Sequence, residues 1–431
     1  MGGLNRREVM GSGLAFAALT STVRGGAAEL QQSAAPAAPT DQAYWRKVAA
    51  HYDLTPEIVQ LENGMWGMMA RPVLKAYVRH QEMVNRRNSF YVRREYGAAL
   101  DAVRDRLARN LGCLSAELAF TRGSTESLLT LIAGYNRLRP GDTVLYADLD
   151  YDSMQAGMRW LKSHRGVDVA TFSIPQPASH QNVLDAYDAA LKAYPRARLL
   201  LLTQVSHRIG LVMPVADIVG MARARDVDVI LDASHGWGQL DFKLADLGAD
   251  FVGLTCQKWI GAPVGTGAIY VRRERMGDID PALGVDSGAA QDIHALVHTG
   301  TSNFAAYLTV ADALDFHESI GAAAKEARLR YLRDRWAESL RDHGRIEILT
   351  PSDPRLTCGI TSFRRRGETS LAENKALAAQ LLERYGIFTV HRDGTADGAC
   401  VRVTPGVFTS ESDVDKLIAA LKAVAEQGSY R

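Results

Sequence analysis

Short apolar runs alternate with helix-like segments from about residue 96 onward, and this alternation constrains the fold more than any other feature. Six of the runs are typical of strands: DTVLYADLD, DVATFSI, ARLLLLTQVS, VDVILDAS, DFVGLT and GAIYVRR. Continuous apolar strands separated by helices indicate a mostly parallel sheet that helices cover on both faces. The pattern therefore predicts an α/β domain whose ligand binds beyond the carboxyl ends of the strands.

Two of these runs end beside residues that carry chemistry. The run VDVILD ends at Asp232, and Lys258 lies just after the run ADFVGLT. Catalysis by pyridoxal phosphate (PLP) needs a lysine amine that forms a Schiff base, the internal aldimine, and a carboxylate that keeps the pyridine nitrogen protonated. Either residue alone is more simply a buried strand-end acid or a surface lysine, whereas the two together predict a PLP site.

The segment TRGSTES follows a predicted strand and opens a predicted helix. Backbone amides at a helix N-terminus, together with the hydroxyls of Ser124 and Thr125, suit an anion such as phosphate. The alternative is that one of these hydroxyls simply caps the helix.

These motifs, in this order and spacing, resemble the class V aminotransferase family, the PLP fold-type I group that includes cysteine desulfurases, kynureninase and isopenicillin N epimerase-like proteins. The resemblance runs from about Asn63 to the C-terminus. Within the family the chain resembles Tat-exported, isopenicillin N epimerase-like members. The resemblance implies a large PLP-binding domain, with a mostly parallel mixed sheet sandwiched by helices, and a smaller α+β C-terminal domain.

The resemblance also implies roles for individual residues. Lys258 would carry PLP and move protons, and Asp232 would pair with the pyridine nitrogen. Tyr151 would stack on the ring, although a core-edge role is the simpler alternative. The remaining cofactor contacts implied are Ser124, Thr125, His207, His235, Thr255, Gln257 and Thr301. Of these, His207 has a structural role as its alternative, and Thr301 would reach the neighbouring subunit's site, which implies a homodimer with a shared active site.

The substrate end of the site is implied by the segment CVRVTPGVFTSESDVDKL. Arg402 stands where the family's arginine binds the substrate α-carboxylate, and a guanidinium can hold a carboxylate through two hydrogen bonds. A surface strand arginine is the alternative. The segment LENGMWG makes Asn63 and Trp66 candidates for lining the substrate entrance.

The N-terminus carries adjacent arginines, Arg6 and Arg7, followed by a short, weakly apolar stretch and small residues. This pattern predicts a twin-arginine (Tat) signal at 1–28, cleaved near Ala28, and therefore periplasmic localisation through the Tat machinery. The stretch is too short and too interrupted to span a bilayer, so no membrane anchor is expected. An Ala/Pro-rich linker would cover 29–42.

The rest of the chain divides into three predicted parts. Residues 43–70 form a segment near the small domain, residues 71–305 form the large domain, and residues 306–431 form the small domain. One long helical stretch is expected from about Ala305 to His343. The net charge of +1 and the absence of a basic patch argue against a nucleic-acid partner. Four cysteines without metal-ligand spacing predict no metal site.

The reaction predicted is chemistry at the Cα of an amino acid or an amino-acid-containing peptide, of the epimerase, aminotransferase or lyase type. A periplasmic enzyme that tailors a glutamyl residue of a pyoverdine-type siderophore peptide is one alternative. Cysteine desulfuration or C–S lysis is less favoured, because Cys400 lies two residues before Arg402 in a predicted strand and no loop cysteine is present. The last alternative is a non-catalytic binding protein with the PLP fold.

Overall fold

The computed structural model describes residues 37–286 and 292–426. The predicted signal with Arg6 and Arg7, and residues 29–36 of the predicted linker, lie outside the described residues. The helices are α1 Gln42–Ala49, α2 Arg71–Arg94, α3 Tyr96–Leu111, α4 Ser124–Gly134, α5 Asp152–Arg165, α6 His180–Ala193, α7 Val215–Arg223, α8 Leu244–Leu247, α9 Phe304–Ile320, α10 Ala322–Leu340, α11 Leu371–Tyr385 and α12 Glu411–Glu426.

The strands are β1 Val59–Gln60, β2 Leu118–Thr121, β3 Thr143–Ala147, β4 Asp168–Phe172, β5 Ala197–Thr203, β6 Asp228–Asp232, β7 Phe251–Thr255, β8 Gly267–Val271, β9 Ile346–Ile348, β10 Thr361–Arg365, β11 Ile387–Phe388, β12 Val390–Thr395 and β13 Gly398–Val403.

Seven strands form the central sheet in the order β2-β8-β7-β6-β5-β3-β4. β8 runs antiparallel to both of its neighbours, and every other pairing in the sheet is parallel. Alternate residues of β5 enter different cores: Leu200 and Leu202 pack on one face, and Leu199 and Leu201 on the other. A strand buried on both faces must be apolar at every position, which explains the continuous run that the sequence shows.

A second, smaller sheet has the order β12-β13-β10-β9 and is antiparallel throughout. It packs with α10, α11 and α12 around its own core, in which Trp336 and Phe363 meet edge to face. The helical stretch expected from about Ala305 to His343 consists of two helices, α9 and α10. Gly321 has a φ of +89°, a conformation that favours glycine, and it separates α9 from α10.

The segment before the large domain joins this smaller unit. β1 pairs in parallel with β11, and Glu62 continues the contact as a bridge to Thr404. Trp45 of α1 packs under the guanidinium of Arg328 in α10. The chain near Glu62 is therefore held beside β13, the strand that carries Arg402. No helix in the described ranges is long and apolar enough to cross a membrane.

Candidate active site

One cavity of about 1140 Å³ lies at the carboxyl end of the central sheet. The last residues of β5, β6 and β7 are Thr203, Asp232 and Thr255, and all three line it. Helix α4 and the strand pair β12–β13 of the smaller sheet also contribute to the wall. The parallel strands thus bring polar side chains that are far apart in sequence to one edge.

Asp232 is the buried acid of the site, with 4% of its surface exposed. Its Oδ1 accepts hydrogen bonds from the Ser234 backbone N–H at 2.9 Å and from the Ser234 hydroxyl. Both donors lie two residues downstream in the turn that follows β6, so the turn itself fixes the carboxylate. A carboxylate held in this way keeps its orientation while it faces the cavity.

Lys258 lies three residues after β7 and points its amine into the same cavity. Burial lowers the pKa of Lys258 to about 8, and the neighbouring Asp232 charge opposes part of that decrease. Lys258 Nζ is 3.0 Å from His235 Nε2. Burial and the Lys258 charge hold the pKa of His235 well below its usual range, so the imidazole is neutral.

The ring of His235 is held from its other side. The Trp259 indole N–H donates to His235 Nδ1 at 3.4 Å, and this bond leaves Nε2 as the nitrogen that faces Lys258. Because Nδ1 accepts from the indole, the proton of the neutral imidazole lies on Nε2. Nε2 therefore donates to the Lys258 amine, which accepts in its neutral form.

The N-terminus of α4 forms the part of the site suited to an anion. Ser124 and Thr125 begin the helix and line the cavity, and neither caps it through its side chain. Gln257 also lines the cavity. Its Oε1 accepts from the backbone N–H groups of Gly265, at 2.6 Å, and Thr266, at 3.3 Å, so it organises the loop between Lys258 and β8.

Tyr151 and His207 face each other on the cavity wall. Their rings meet edge to face with centroids 5.0 Å apart. Tyr151 is 37% exposed and stands at the start of α5, whereas His207 is 8% exposed. Burial, followed by the charges of Arg208 and Arg402, holds the pKa of His207 well below its usual range. Its Nδ1 has no hydrogen-bond partner among the described residues.

Arg402 lies on β13 at the far end of the cavity and is 1% exposed. Its Nη2 donates to Glu62 Oε1 at 2.6 Å, and its Nη1 donates to the His207 carbonyl at 2.7 Å. A Cβ on Gly64 would lie 2.5 Å from Nη2, so only glycine lets the backbone pass this close. The guanidinium is therefore fixed by the carboxylate of Glu62, a residue that no sequence motif indicates.

Arg392 on β12 is a second cation of the wall that sequence reasoning missed. Burial and the charge of Arg402 lower the pKa of Arg392 to about 10. Only the strand register brings it there: Arg392 pairs with Cys400, two residues before Arg402, so both arginines project from one face of the sheet.

Three predicted residues lie away from the cavity wall. The Asn63 side chain donates to the Thr404 carbonyl at 2.8 Å and so ties its segment to β13. Trp66 is 51% exposed; Gly64 and Met65 are the residues of this segment that line the cavity. Thr301 is exposed and precedes α9.

All four cysteines are described, and no thiol lines the cavity. Cys400 is fully buried on β13, and burial raises its pKa to about 11. A buried thiol that stays protonated is a poor nucleophile. In residues 37–286 and 292–426, no group of three His, Cys, Asp or Glu side chains is placed to hold a metal ion.

The chemistry of the residues present fits PLP. A primary amine, a buried carboxylate and a helix N-terminus with two hydroxyls open to one cavity, and these suit an aldehyde, a pyridine nitrogen and a phosphate respectively. The buried Thr203 hydroxyl adds an unpartnered polar atom on the same wall, as judged from the described residues.

Sequence comparison finds the family described as "Aminotransferase class-V", which matches residues 70–417. A curated relative, isopenicillin N epimerase from Streptomyces clavuligerus, is 27% identical over 397 residues, covering 88% of this chain and 98% of the relative. The chain thus aligns with nearly the whole length of that enzyme.

Solved structures show the same fold. The apo cysteine desulfurase from Thermococcus onnurineus NA1 superposes with a TM-score of 0.77 at 19% identity, covering 92% of this chain and all of that one. A cystine C–S lyase with glycine covalently linked to its PLP cofactor gives a TM-score of 0.73 at 19% identity, covering 85% and 96%. The predicted PLP fold-type I architecture is confirmed.

Proposed function

The chain belongs to the class V aminotransferase family, and from this premise we propose that it is a PLP-dependent enzyme acting at the Cα of an amino acid or an amino-acid-containing peptide. One observation carries the proposal: the Lys258 amine, the Asp232 carboxylate and the Arg402 guanidinium all open to one cavity. Together they supply the three functions that such chemistry requires.

PLP, when bound, withdraws electrons from the substrate Cα. The buried Asp232 would hold a proton at the ring nitrogen, because an opposite charge at close range favours the protonated pyridine. The backbone amides and hydroxyls of Ser124 and Thr125 would bind the phosphate, with Thr255 beside them on the same wall. Tyr151, fixed by its contact with His207, would lie against a ring face.

Lys258 would link covalently to the cofactor and later act as the base at Cα. An amine whose pKa is lowered to about 8 is neutral in a useful fraction near neutral pH, which both steps need. His235 holds that amine through the 3.0 Å contact and, being uncharged, does not force it into the ammonium form. The imidazole thus orients the base.

Arg402 would bind the α-carboxylate and so orient the bonds at Cα. The enzyme decides which Cα bond breaks by its orientation, and a guanidinium that the His207 carbonyl holds at Nη1 can set that orientation. The isopenicillin N epimerase likeness favours a reaction that removes the Cα proton. Persulfide chemistry on the enzyme is disfavoured by the buried thiol of Cys400.

A homodimer is part of the proposal. Thr301 is exposed at the start of α9 and lies outside the cavity wall of its own chain, as expected of a residue that serves a neighbouring site. Met65 and Leu283 line the cavity and are 67% and 99% exposed, and a partner subunit would cover them.

Export through the Tat route is also proposed, on the strength of Arg6 and Arg7. Tat carries folded proteins, so a cofactor loaded in the cytoplasm would travel with the enzyme into the periplasm.

The test is Cα–H exchange. The purified protein is incubated in D₂O with a panel of amino acids and small peptides, and deuterium at Cα is followed by NMR and mass spectrometry. Exchange that is lost in Lys258→Ala supports the proposal. No exchange and no change of any substrate, by protein that contains PLP, would contradict it.

A further inference from the structure

Three charged side chains meet at the substrate end of the site: Arg392 and Arg402 line the cavity, and Glu62 packs against them. Glu62 accepts from Arg402 Nη2 at 2.6 Å, and Glu62 Oε1 lies 3.9 Å from Arg392 Nη2. No other carboxylate within 4 Å of Arg392 is found in the described part of the chain. The Glu62 side chain is only 7% exposed, so these charges interact with little screening by solvent.

The two arginines compete for this one carboxylate. The register places them on one face of the smaller sheet at diagonal positions, within reach of the same group. Nε of each arginine lacks a hydrogen-bond partner among residues 37–286 and 292–426. Two cations and one anion leave a net charge of +1, which one further carboxylate would neutralise.

The contacts also show which of the two arginines Glu62 pairs with in the absence of a ligand. Arg402 has its full hydrogen bond to Glu62, whereas Arg392 has only the distant contact and a bond from Nη1 to the neighbouring His391 carbonyl at 3.2 Å. Arg392 is thus the cation still able to take a carboxylate at hydrogen-bond distance.

We propose that Glu62 occupies the position of the substrate α-carboxylate on Arg402, and that binding of substrate transfers Glu62 to Arg392. The proposal rests on the function proposed above. Charge is conserved in this exchange: the substrate carboxylate pairs with Arg402, Glu62 pairs with Arg392, and the net charge falls to zero. The transfer is short, because Glu62 Oε1, at 2.6 Å from Arg402 Nη2, is already only 3.9 Å from Arg392 Nη2.

A specificity follows from this arrangement. With Glu62 on Arg392, a second carboxylate on the ligand would find no free cation at this end of the cavity and would meet Glu62 as a like charge. The site therefore selects ligands that bring a single carboxylate. Glu62 is the residue that determines the selection, and Arg392 is a positioning residue that acts through Glu62.

The experiment uses the full PLP-loaded protein and two non-reacting probes of equal carbon number, pentanoate and glutarate. Binding is measured by calorimetry and by the change in cofactor absorption. The wild type should bind pentanoate more tightly than glutarate. In Glu62→Gln, pentanoate should tighten by about 10-fold because its competitor is gone, and glutarate should tighten more because Arg392 is free.

A double-mutant cycle tests the exchange itself. Arg392→Gln should weaken pentanoate binding when Glu62 is present, because displaced Glu62 then has no cation to receive it. The same change should have little effect in the Glu62→Gln background. Glu57→Gln and Arg366→Gln, at exposed positions of the same chain regions, are the matched controls.

Three results would overturn the inference. Weaker pentanoate binding in Glu62→Gln would make Glu62 a support for Arg402 only. An equal effect of Arg392→Gln in both backgrounds would mean that Arg392 touches the ligand directly. A wild-type preference for glutarate would have the same meaning. If Glu62→Gln does not fold, Glu62→Asp and the single Arg392→Gln variant still test the exchange. The shorter Asp side chain should weaken the ion pair with Arg402.

The probes need no catalysis, so this test is independent of the reaction. Unchanged affinities in protein that carries PLP on Lys258 would reject the exchange and leave the proposed function intact. Protein without that covalent link would reject the proposed function instead.

Discussion

Replacement of Asp232 by Asn removes one charge from the site and almost nothing else. Asn is nearly isosteric with Asp, and its side-chain oxygen can still accept the 2.9 Å hydrogen bond from the Ser234 backbone N–H. Residue 232 is 4% exposed and surrounded by the ends of β5 and β7, so the neutral amide fits the same space. We expect Asp232→Asn to fold and to bind PLP.

The catalytic loss should be large, because the lost charge acts where solvent is nearly absent. Two unit charges about 3 Å apart at an effective dielectric constant of about 20 attract by about 5 kcal/mol. Removal of one preorganised electrostatic group in other enzymes costs about 3–4 kcal/mol. A loss of about 4 kcal/mol corresponds to a rate reduction of about 1000-fold.

The assay compares Cα–H exchange in D₂O between the wild type, Asp232→Asn and Asp217→Asn. Asp217 is an exposed acid on α7 and serves as the matched control. Cofactor content is measured on the same preparations, so a loss of exchange can be assigned to chemistry. Near-normal exchange in Asp232→Asn would refute the reasoning, and so would loss of PLP in proportion to loss of rate.

Three further outcomes are expected. Arg402→Ala should weaken amino-acid binding by about 30-fold or more, because loss of one partner of a buried pair costs about 2–5 kcal/mol. Binding is measured by titration of cofactor absorption, and Arg402→Lys should restore only part of the affinity. Normal affinity in the Ala variant would mean that the substrate binds through another group. Because burial lowers the pKa of Lys258 to about 8 and only the neutral amine attacks an aldehyde, PLP uptake by apoprotein should accelerate with rising pH and level off above about pH 8, and a rate that still climbs through pH 10 would contradict this. Replacing Arg6 and Arg7 with Lys should leave an uncleaved, PLP-containing precursor in the cytoplasm, and continued export, detected by fractionation, would count against the Tat signal.

The sequence alone predicts the parts of this protein that local patterns determine. A strand buried on both faces must be apolar throughout, so β5, β6 and β7 could be identified. Asp232 at the end of β6 and Lys258 just after β7 then stood out as the reactive residues. The helix that opens at Ser124 could be identified from its polar start after a strand. These features depend on a few consecutive residues.

Features that depend on register and long-range packing could not be predicted. Glu62 is 340 residues from Arg402 in sequence, and only the pairing of the N-terminal segment with β13 brings the two together. Arg392 meets the same group through the strand register of a bulged pair. Gly321 breaks a helical pattern that is otherwise continuous on both sides, and one glycine in such a pattern is compatible with an unbroken helix.

Reduction by borohydride, followed by peptide mass spectrometry, tests the central claim most directly. The purified protein should show visible absorption from the bound cofactor, borohydride should remove it, and the PLP adduct should be found on the peptide that contains Lys258. Lys258→Ala should retain no reducible cofactor, whereas Lys243→Ala, at an exposed position just before α8, should behave like the wild type. An adduct on another lysine, or a reducible link that survives in Lys258→Ala, would contradict the account.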